Sequence, residues 1–309
     1  DEICRPPLSP REVQKIARSV SQYTAPLDGK FGTLADVEPG EVDWLYGPYI
    51  PRGMVTVLDG DPGLGKSNWC MAIIAALTTG KAIPWSEDRP QGSALILSAE
   101  DDPARVLRPR LDANEADVQK VRFAQEWFTL DQNGLNLLKQ EVAASRPDLV
   151  IIDPIVAYIS AELDLYKATD MARFINEIHM IACEYQCAIL VVRHLRKSRE
   201  GDALRRGMGS ISVAARGRSV LAMARYPSDP SIRAVAHVKT NYGVYGPTML
   251  FKLEQKGSVP AVVWKGVDTV MTADMLLQPI DAFPGRPSTE SNEAERFLRI
   301  ALSGKERDS

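Results

Sequence analysis

A glycine-rich segment carries the strongest chemical signal in this chain. Residues 60–67 read Gly-Asp-Pro-Gly-Leu-Gly-Lys-Ser and fit the pattern GxxxxGK(S/T), between an apolar run at 54–58 and a helix predicted over 66–79. Glycines let backbone N–H groups turn inward around phosphate oxygens, and the positive end of the helix dipole points at them. Lys66 is predicted to bridge two phosphates, and the Ser67 hydroxyl to ligate Mg²⁺. The predicted nucleotide-binding loop consists of Gly60, Asp61, Pro62, Gly63, Leu64, Gly65, Lys66, Ser67 and Asn68.

The motif alone indicates nucleotide binding. Kinases, GTPases, motors and transporters share this property, so the other acidic and basic residues are needed to distinguish these classes. An apolar strand predicted over 94–97 leads into three acidic residues at 100–102. Ligand chemistry in an open parallel sheet collects at the carboxyl ends of the strands. Glu100 is therefore predicted to orient or deprotonate an attacking water. The alternative is that this cluster only caps the next helix, a role that Asp102 before Pro103 fits well.

A second apolar strand, predicted over 149–152, ends in Asp153. A carboxylate at this position is predicted to hold Mg²⁺ together with Ser67. The next residue is Pro154 rather than a second acid, so the catalytic acid is expected on another strand, at Glu100.

A third strand, predicted over 188–192, leads into a histidine and a basic segment that begins at Arg193. His194 is predicted to sense the terminal phosphate and to pass its presence to the following loop. The alternative is a histidine that merely faces solvent. The basic loop contains several glycines and is predicted to contact the backbone of single-stranded DNA, although a simply solvated loop is the alternative. Its predicted nucleic-acid-binding residues are Arg196, Lys197, Arg199, Arg205 and Arg206.

The composition excludes several classes of protein. The 309 residues are 45% hydrophobic and 25% charged, which excludes a disordered chain. No long uncharged apolar stretch or leader is seen, so we expect no membrane association and a cytoplasmic location. A net charge of −3 means that nucleic-acid binding depends on a local basic patch. Four cysteines form no disulfide framework, and Cys183 and Cys187, on one predicted helix, lack the partners of a zinc site.

Strands and helices alternate through the middle of the chain. Continuous apolar strands separated by helices predict a parallel sheet that is covered on both faces. The later strands follow one another without helices and are expected to add antiparallel at one edge. The predicted strands, besides those above, cover 121–124, 218–224, 233–239, 248–254 and 261–265, and the later helices cover 103–113, 133–145 and 169–186.

The series of motifs resembles the RepA branch of RecA-type ATPases, which are hexameric replicative helicases. The motifs are GDPGLGKS, LSAEDDP, LVIIDP, VVRHLRK, GSISVAARGR and VKTNYG, in this order within residues 45–267. The resemblance implies an α/β fold with a RecA-like P-loop core. It also implies a homo-oligomeric, hexameric ring, with ATP between neighbouring subunits and single-stranded DNA in the channel.

The resemblance also implies two cations that act on the adjacent subunit's nucleotide. Arg218 matches the position of the arginine, with Arg216 as a near alternative, and Lys239 is the second cation. DnaB-like helicases carry a further cation where this chain has Asn241. An ordinary ion-pairing role is the alternative for Arg218.

Separate predictions concern the two ends of the chain. Residues 1–44 are predicted to be an N-terminal helix, begun by Ser9 and Pro10, with a linker, and they resemble the segment that closes primase regions. Residues 268–309 are a tail with one helical patch at 293–302, similar to the start of a winged-helix domain. The chain also lacks an initiator Met, which suggests a processed chain or a fragment. The expected whole is a phage or mobile-element primase-helicase in a bacterial host.

The sequence therefore predicts the ATP-hydrolysing motor of a DNA replication helicase. Two alternatives remain open at this point. One is a DNA-binding, recombinase-like or regulatory ATPase that does not unwind DNA. The other is a nucleotide-gated loader or scaffold whose hydrolysis is incidental.

Overall fold

A computed structural model describes residues 32–84, 86–160, 163, 167–194 and 217–278. The chain divides into two compact units, with the boundary after Glu41. Within the first part, residues 32–41 contain a 3₁₀ turn at Leu34–Asp36. The second part holds the sheet and its helices. No described helix has the length and apolar character needed to cross a membrane.

The second part begins with a small antiparallel pair, followed by a nine-stranded sheet. The strand order in the large sheet is β11-β10-β9-β8-β3-β7-β6-β4-β5. The strands are β1 (Trp44–Tyr46), β2 (Ile50–Pro51), β3 (Val55–Gly60), β4 (Ala94–Ser98), β5 (Val121–Phe123), β6 (Leu149–Asp153), β7 (Ala188–His194), β8 (Ser219–Tyr226), β9 (Asp229–Thr240), β10 (Thr248–Lys256) and β11 (Val259–Asp268).

Local signals in the sequence set where the helices begin and end. The Asp131 carboxylate accepts hydrogen bonds from the N–H groups of Asn133 and Gly134 and so caps a helix. Gly80 ends another helix in a left-handed conformation. The helices are α1 (Lys66–Thr79), α2 (Arg108–Ala113), α3 (Gln132–Ser145), α4 (Ala168–Tyr185) and α5 (Ala273–Leu276).

Alternating residues of the central strands face two different cores. In β7, Leu190 and Val192 pack in the core that contains α1, which is buried along nearly its whole length. Ile189 and Val191 pack in the opposite core, with α3 and α4. Burial on both faces is why these strands are apolar throughout rather than alternating. The predicted α/β class, with a mostly parallel sheet and antiparallel strands at one edge, is confirmed.

The structure corrects three details of the predicted elements. The first late strand, β8, pairs parallel with β3, and only β9, β10 and β11 add antiparallel. More than 20 residues separate β7 from β8, which is long enough for the crossover that a parallel pair needs. The helix predicted over 103–113 begins with a π-helical turn, Pro103–Leu107, before α2. Cys187 lies beyond α4, because Gln186 ends that helix with a φ of 54°.

Candidate nucleotide site

The glycine-rich loop adopts a conformation that requires its glycines. Gly63 and Gly65 have φ values of 77° and 93°, in the left-handed region that side chains disfavour. A Cβ at Gly60 would lie 2.8 Å from the Met223 carbonyl oxygen of the neighbouring strand. The loop therefore turns tightly from β3 into α1, with Leu64 buried beneath it. Asp61 and Pro62 are exposed.

Lys66 lies over the loop and is itself buried, with 4% of its surface exposed. Its amino group donates hydrogen bonds to the carbonyl oxygens of Gly60 and Asp61, at 2.8 and 2.9 Å. Burial lowers the pKa of this ammonium group, and the nearby Asp153 carboxylate opposes the change. The cation is thus held where phosphate oxygens would replace the loop's own carbonyls.

His194, at the end of β7, contacts the same amino group. Its Nδ1 lies 3.1 Å from Lys66 Nζ. Because an ammonium group can only donate, Nδ1 must be the unprotonated acceptor. Burial and the neighbouring Lys66 charge both lower the pKa of His194, which favours the neutral ring. His194 therefore lies against Lys66 at the cleft, and its role in sensing phosphate stays a prediction.

Asp153 and Ser67 form the oxygen-rich side of the site. Ser67 lies beside the Asp153 carboxylate, and its hydroxyl helps to lower the pKa of Asp153. Burial raises the pKa of Asp153 to about 6, and the Asp101 and Glu100 charges add to the increase, while Ser67 and Lys66 oppose it. A hydroxyl next to a carboxylate suits Mg²⁺, which typically binds one or two carboxylates and takes its other ligands from water and phosphates. In the described part of the chain, no group of three or more His, Cys, Asp or Glu side chains could enclose a metal by itself.

Glu100 lies just past the end of β4 and is exposed, whereas Asp153 ends the adjacent strand β6. Both border a cleft of about 480 Å³ that also contains the glycine-rich loop. Asn68, in the first turn of α1, borders the same cleft with its side chain largely buried. The predicted phosphate, metal and catalytic groups thus meet at the carboxyl ends of the parallel strands β3, β4, β6 and β7.

The neighbouring acids have separate roles. Asp102 caps the turn that follows β4, since its side chain accepts a 2.7 Å hydrogen bond from the Arg105 N–H. Asp101 borders the cleft and forms a 2.7 Å ion pair with Arg110 of α2. The sequence analysis did not predict this pair, and Arg110 belongs to α2, which packs against β11.

A second missed feature is a buried ion pair beneath the loop. Arg193 donates two hydrogen bonds of 2.7 Å to the Asp59 carboxylate, and both side chains are at most 3% exposed. The two residues face each other on β3 and β7, one position before Gly60 and His194. Arg193 therefore does not belong to the basic loop in which it was counted. A single charge within each of two apolar strands was the available signal for this pair.

Arg218 and Lys239 lie away from this cleft. The Arg218 N–H donates to the Val55 carbonyl oxygen, at the amino end of β3. The glycine-rich loop follows the carboxyl end of β3, roughly 16 Å away along the strand. Lys239 donates to the Gly217 carbonyl oxygen, and burial and the Arg218 charge lower its pKa. The two cations are thus close to each other and far from the phosphate loop of their own chain.

The predicted nucleic-acid-binding residues Arg196, Lys197, Arg199, Arg205 and Arg206, and the alternative Arg216, lie outside the described residues. So do the helices predicted near Ser9 and over 293–302. Their roles stay predictions.

Comparison with known proteins agrees with this geometry. Residues 22–200 match the family described as AAA domain, which is more than half of the chain. The DNA repair protein RadA of Chlamydia pneumoniae is 24% identical over 160 residues, which are 51% of this chain. The match covers 32% of that relative's length. The chain belongs to the AAA-domain family and is a nucleotide-dependent ATPase with a RecA-like P-loop core.

Proposed function

We propose that this chain is the ATP-hydrolysing motor of a DNA replication helicase, similar to the RepA and DnaB types. The observation that carries the proposal is the placement of its charges. The phosphate loop, Glu100 and Asp153 border one cleft, whereas Arg218 and Lys239 lie at the opposite ends of the strands. This placement suits a site shared between neighbouring subunits of a ring.

Within one subunit, the residues of the cleft bind the nucleotide and prepare the attack of water. The loop N–H groups and Lys66 hold the phosphates, in place of the carbonyl contacts that Lys66 now makes. Ser67 and Asp153 would hold Mg²⁺, which when bound neutralises charge on the phosphate oxygens. Glu100 orients the water and accepts its proton.

Between subunits, Arg218 and Lys239 are proposed to meet the neighbour's phosphates. Arg218 is exposed, so its planar guanidinium is open to an incoming oxyanion. A cation that arrives from another chain stabilises the charge that develops in the transition state. Hydrolysis would then depend on assembly, as the movement of a ring along DNA requires.

Coupling to single-stranded DNA is proposed to pass through His194. This side chain contacts Lys66 at one end, and residue 195 begins the basic loop at the other. A phosphate that draws Lys66 away from His194 would change the anchor point of that loop. The basic residues 196–206 would in turn contact the DNA backbone.

A DNA-binding, recombinase-like ATPase without unwinding activity is the second candidate. The similarity to a DNA repair protein favours it.

Strand displacement from a forked duplex separates them. The helicase proposal predicts ATP-dependent release of one strand, and none by Lys66→Ala, which lacks the phosphate-binding cation. ATP hydrolysis by an assembled, DNA-bound protein with no strand release on either fork polarity would reject the helicase proposal and favour the second candidate.

A further inference from the structure

Helix α2 places a second cation at the cleft. The Arg110 Nη1 lies 2.7 Å from Asp101 Oδ2, and the Arg110 side chain is 21% exposed. Among the described residues that line the cleft, Lys66 and Arg110 are the permanent cations. Glu100, Asp101 and Asp153 supply the opposing charges.

Packing holds Arg110 at this position. Its neighbour Leu111 is buried, and the Asn114 side chain accepts a 3.0 Å hydrogen bond from the Val262 N–H of β11. The base of α2 is therefore fixed to the sheet, and the guanidinium reaches the cleft from a defined point.

The partner, Asp101, is held at the acidic end of the cleft. Its N–H donates to the Ser98 hydroxyl, and Ser98 faces Asp153 across the paired strands β4 and β6. The N–H of Ala99, the residue after Ser98, donates to the Asp153 carbonyl oxygen. Arg110 is thus held by Asp101 at the cleft that Asp153 also lines, rather than on the outer surface.

The guanidinium has binding capacity to spare. It carries five N–H donors, and the Asp101 contact uses one of them within the described part of the chain. Two oxygens of a tetrahedral phosphate can accept the paired N–H donors of a guanidinium as a carboxylate does, and a phosphate chain carries more negative charge. A phosphate group in the cleft would therefore compete well for Arg110.

Building on the proposed nucleotide site, we propose that Arg110 is a second phosphate-binding cation of the same subunit. It shares or exchanges its Asp101 contact for the phosphate chain of the bound nucleotide. Asp101 is then the anion that occupies the guanidinium before the nucleotide arrives, and the phosphates must compete with it.

The same helix provides a matched control. Arg108 binds Asp112 through Nε at 2.9 Å, but both side chains are largely exposed, at 60% and 50%. An exposed pair of this kind contributes little to stability, and it does not border the cleft. Arg108→Gln removes the same charge from α2 without touching the proposed contact.

Displacement of a fluorescent ATP analogue by ATP and by inorganic tripolyphosphate tests the proposal. Arg110→Gln should raise the Kd for both competitors about tenfold or more, because a charge-assisted contact is lost. Asp101→Asn should lower both Kd values, because it removes a negative charge and releases Arg110. A purely structural ion pair predicts instead that both variants change binding in the same direction. Arg110→Lys, which keeps the charge without the fork, should fall between wild type and Arg110→Gln, and Arg108→Gln should match wild type.

Three results would overturn the inference. They are unchanged Kd values for Arg110→Gln, an effect on ATP but not on tripolyphosphate, and a loss of binding in Asp101→Asn equal to that in Arg110→Gln. Circular dichroism and the unfolding temperature of each variant exclude misfolding as the cause. If the unmodified chain bound neither competitor, the proposed nucleotide site would itself be wrong, which distinguishes that failure from a failure of the Arg110 contact alone.

Discussion

At the scale of single residues, the cleft is defined by charges that are already paired. Lys66 places its donors on loop carbonyls and His194, and Arg110 places one of its five donors on Asp101. Glu100 is the exposed exception among the acids that line the cleft. An exposed carboxylate beside buried partners has the access to water that a general base needs.

Replacing Glu100 by Gln should therefore separate binding from hydrolysis. The amide keeps the shape but cannot accept a proton, so we expect turnover of ATP to fall about a hundredfold or more while the Kd for ATP changes little. Steady-state phosphate release and nucleotide titration measure the two quantities. Asp102→Asn is the matched control, because asparagine also caps helices and Asp102 lies outside the chemistry. Full turnover in Glu100→Gln would remove Glu100 from the mechanism.

The Asp59–Arg193 pair should contribute to stability in a way that depends on both partners. Asp59→Asn removes the carboxylate that accepts two hydrogen bonds from the buried Arg193 guanidinium, which should lower the free energy of unfolding by about 3–5 kcal/mol. The double replacement Asp59→Leu with Arg193→Met removes both charges and should recover most of that loss. Urea denaturation measures the three proteins, and a double variant that is less stable than Asp59→Asn would contradict the argument.

At the scale of elements, strand β9 is anchored by a buried histidine. His237 stacks on Tyr49 with ring centroids 4.9 Å apart, and its Nδ1 accepts a 2.9 Å hydrogen bond from the Gly246 N–H. Burial lowers the pKa of His237 to about 4. The ring is therefore neutral in the folded protein and packs as an aromatic residue between β9 and the turn before β2.

This burial predicts a pH dependence of stability. The unfolded histidine binds a proton below about pH 6.5, whereas the folded one stays neutral down to about pH 4. The unfolded state thus binds more protons in this window, so the free energy of unfolding should fall by up to about 3 kcal/mol as the pH drops from 6.5 to 4. Urea denaturation at several pH values measures the free energy of unfolding. It should change less steeply with pH in His237→Gln than in the unmodified protein, and equal pH dependence in the two proteins would assign the effect to other groups.

Elements were predictable where the signal was local. Strand β7 is a continuous apolar run, and β3 and α1 flank a motif of fixed spacing, so all three elements were predictable. The expectation that the site lies at the carboxyl ends of the parallel strands followed from them. The parallel direction of β8 and the contact of α2 with β11 depend on how distant segments pack. Periodicity carries no information on those contacts, and the sequence left them unpredicted or placed them wrongly.

At the scale of the whole molecule, the two cations at the amino ends of the strands need a partner chain if they are to act on ATP. The separation between Val55 and Gly60 along β3 keeps Arg218 away from its own phosphate loop. An active unit would therefore contain the cleft of one subunit and Arg218 of the next.

Mixing two inactive variants tests this sharing. Arg218→Ala should retain its cleft, and Glu100→Gln should retain its arginine, so each alone should show little turnover. In mixed assemblies, some Arg218→Ala clefts face an intact arginine on a Glu100→Gln neighbour, and part of the ATPase activity should return. The matched mixture of Glu100→Gln with Lys66→Ala should not recover, because both lesions lie in the cleft. No recovery in the first mixture would place Arg218 outside a shared site.

The most direct test of the account is steady-state ATP hydrolysis, measured with and without single-stranded DNA at concentrations where the protein is assembled. A DNA-driven motor predicts that DNA raises the rate several-fold, that the stimulation weakens with added salt as backbone contacts are screened, and that Glu100→Gln abolishes it. Hydrolysis that proceeds at the same rate with and without DNA would contradict the claim that this ATPase is a motor driven by single-stranded DNA.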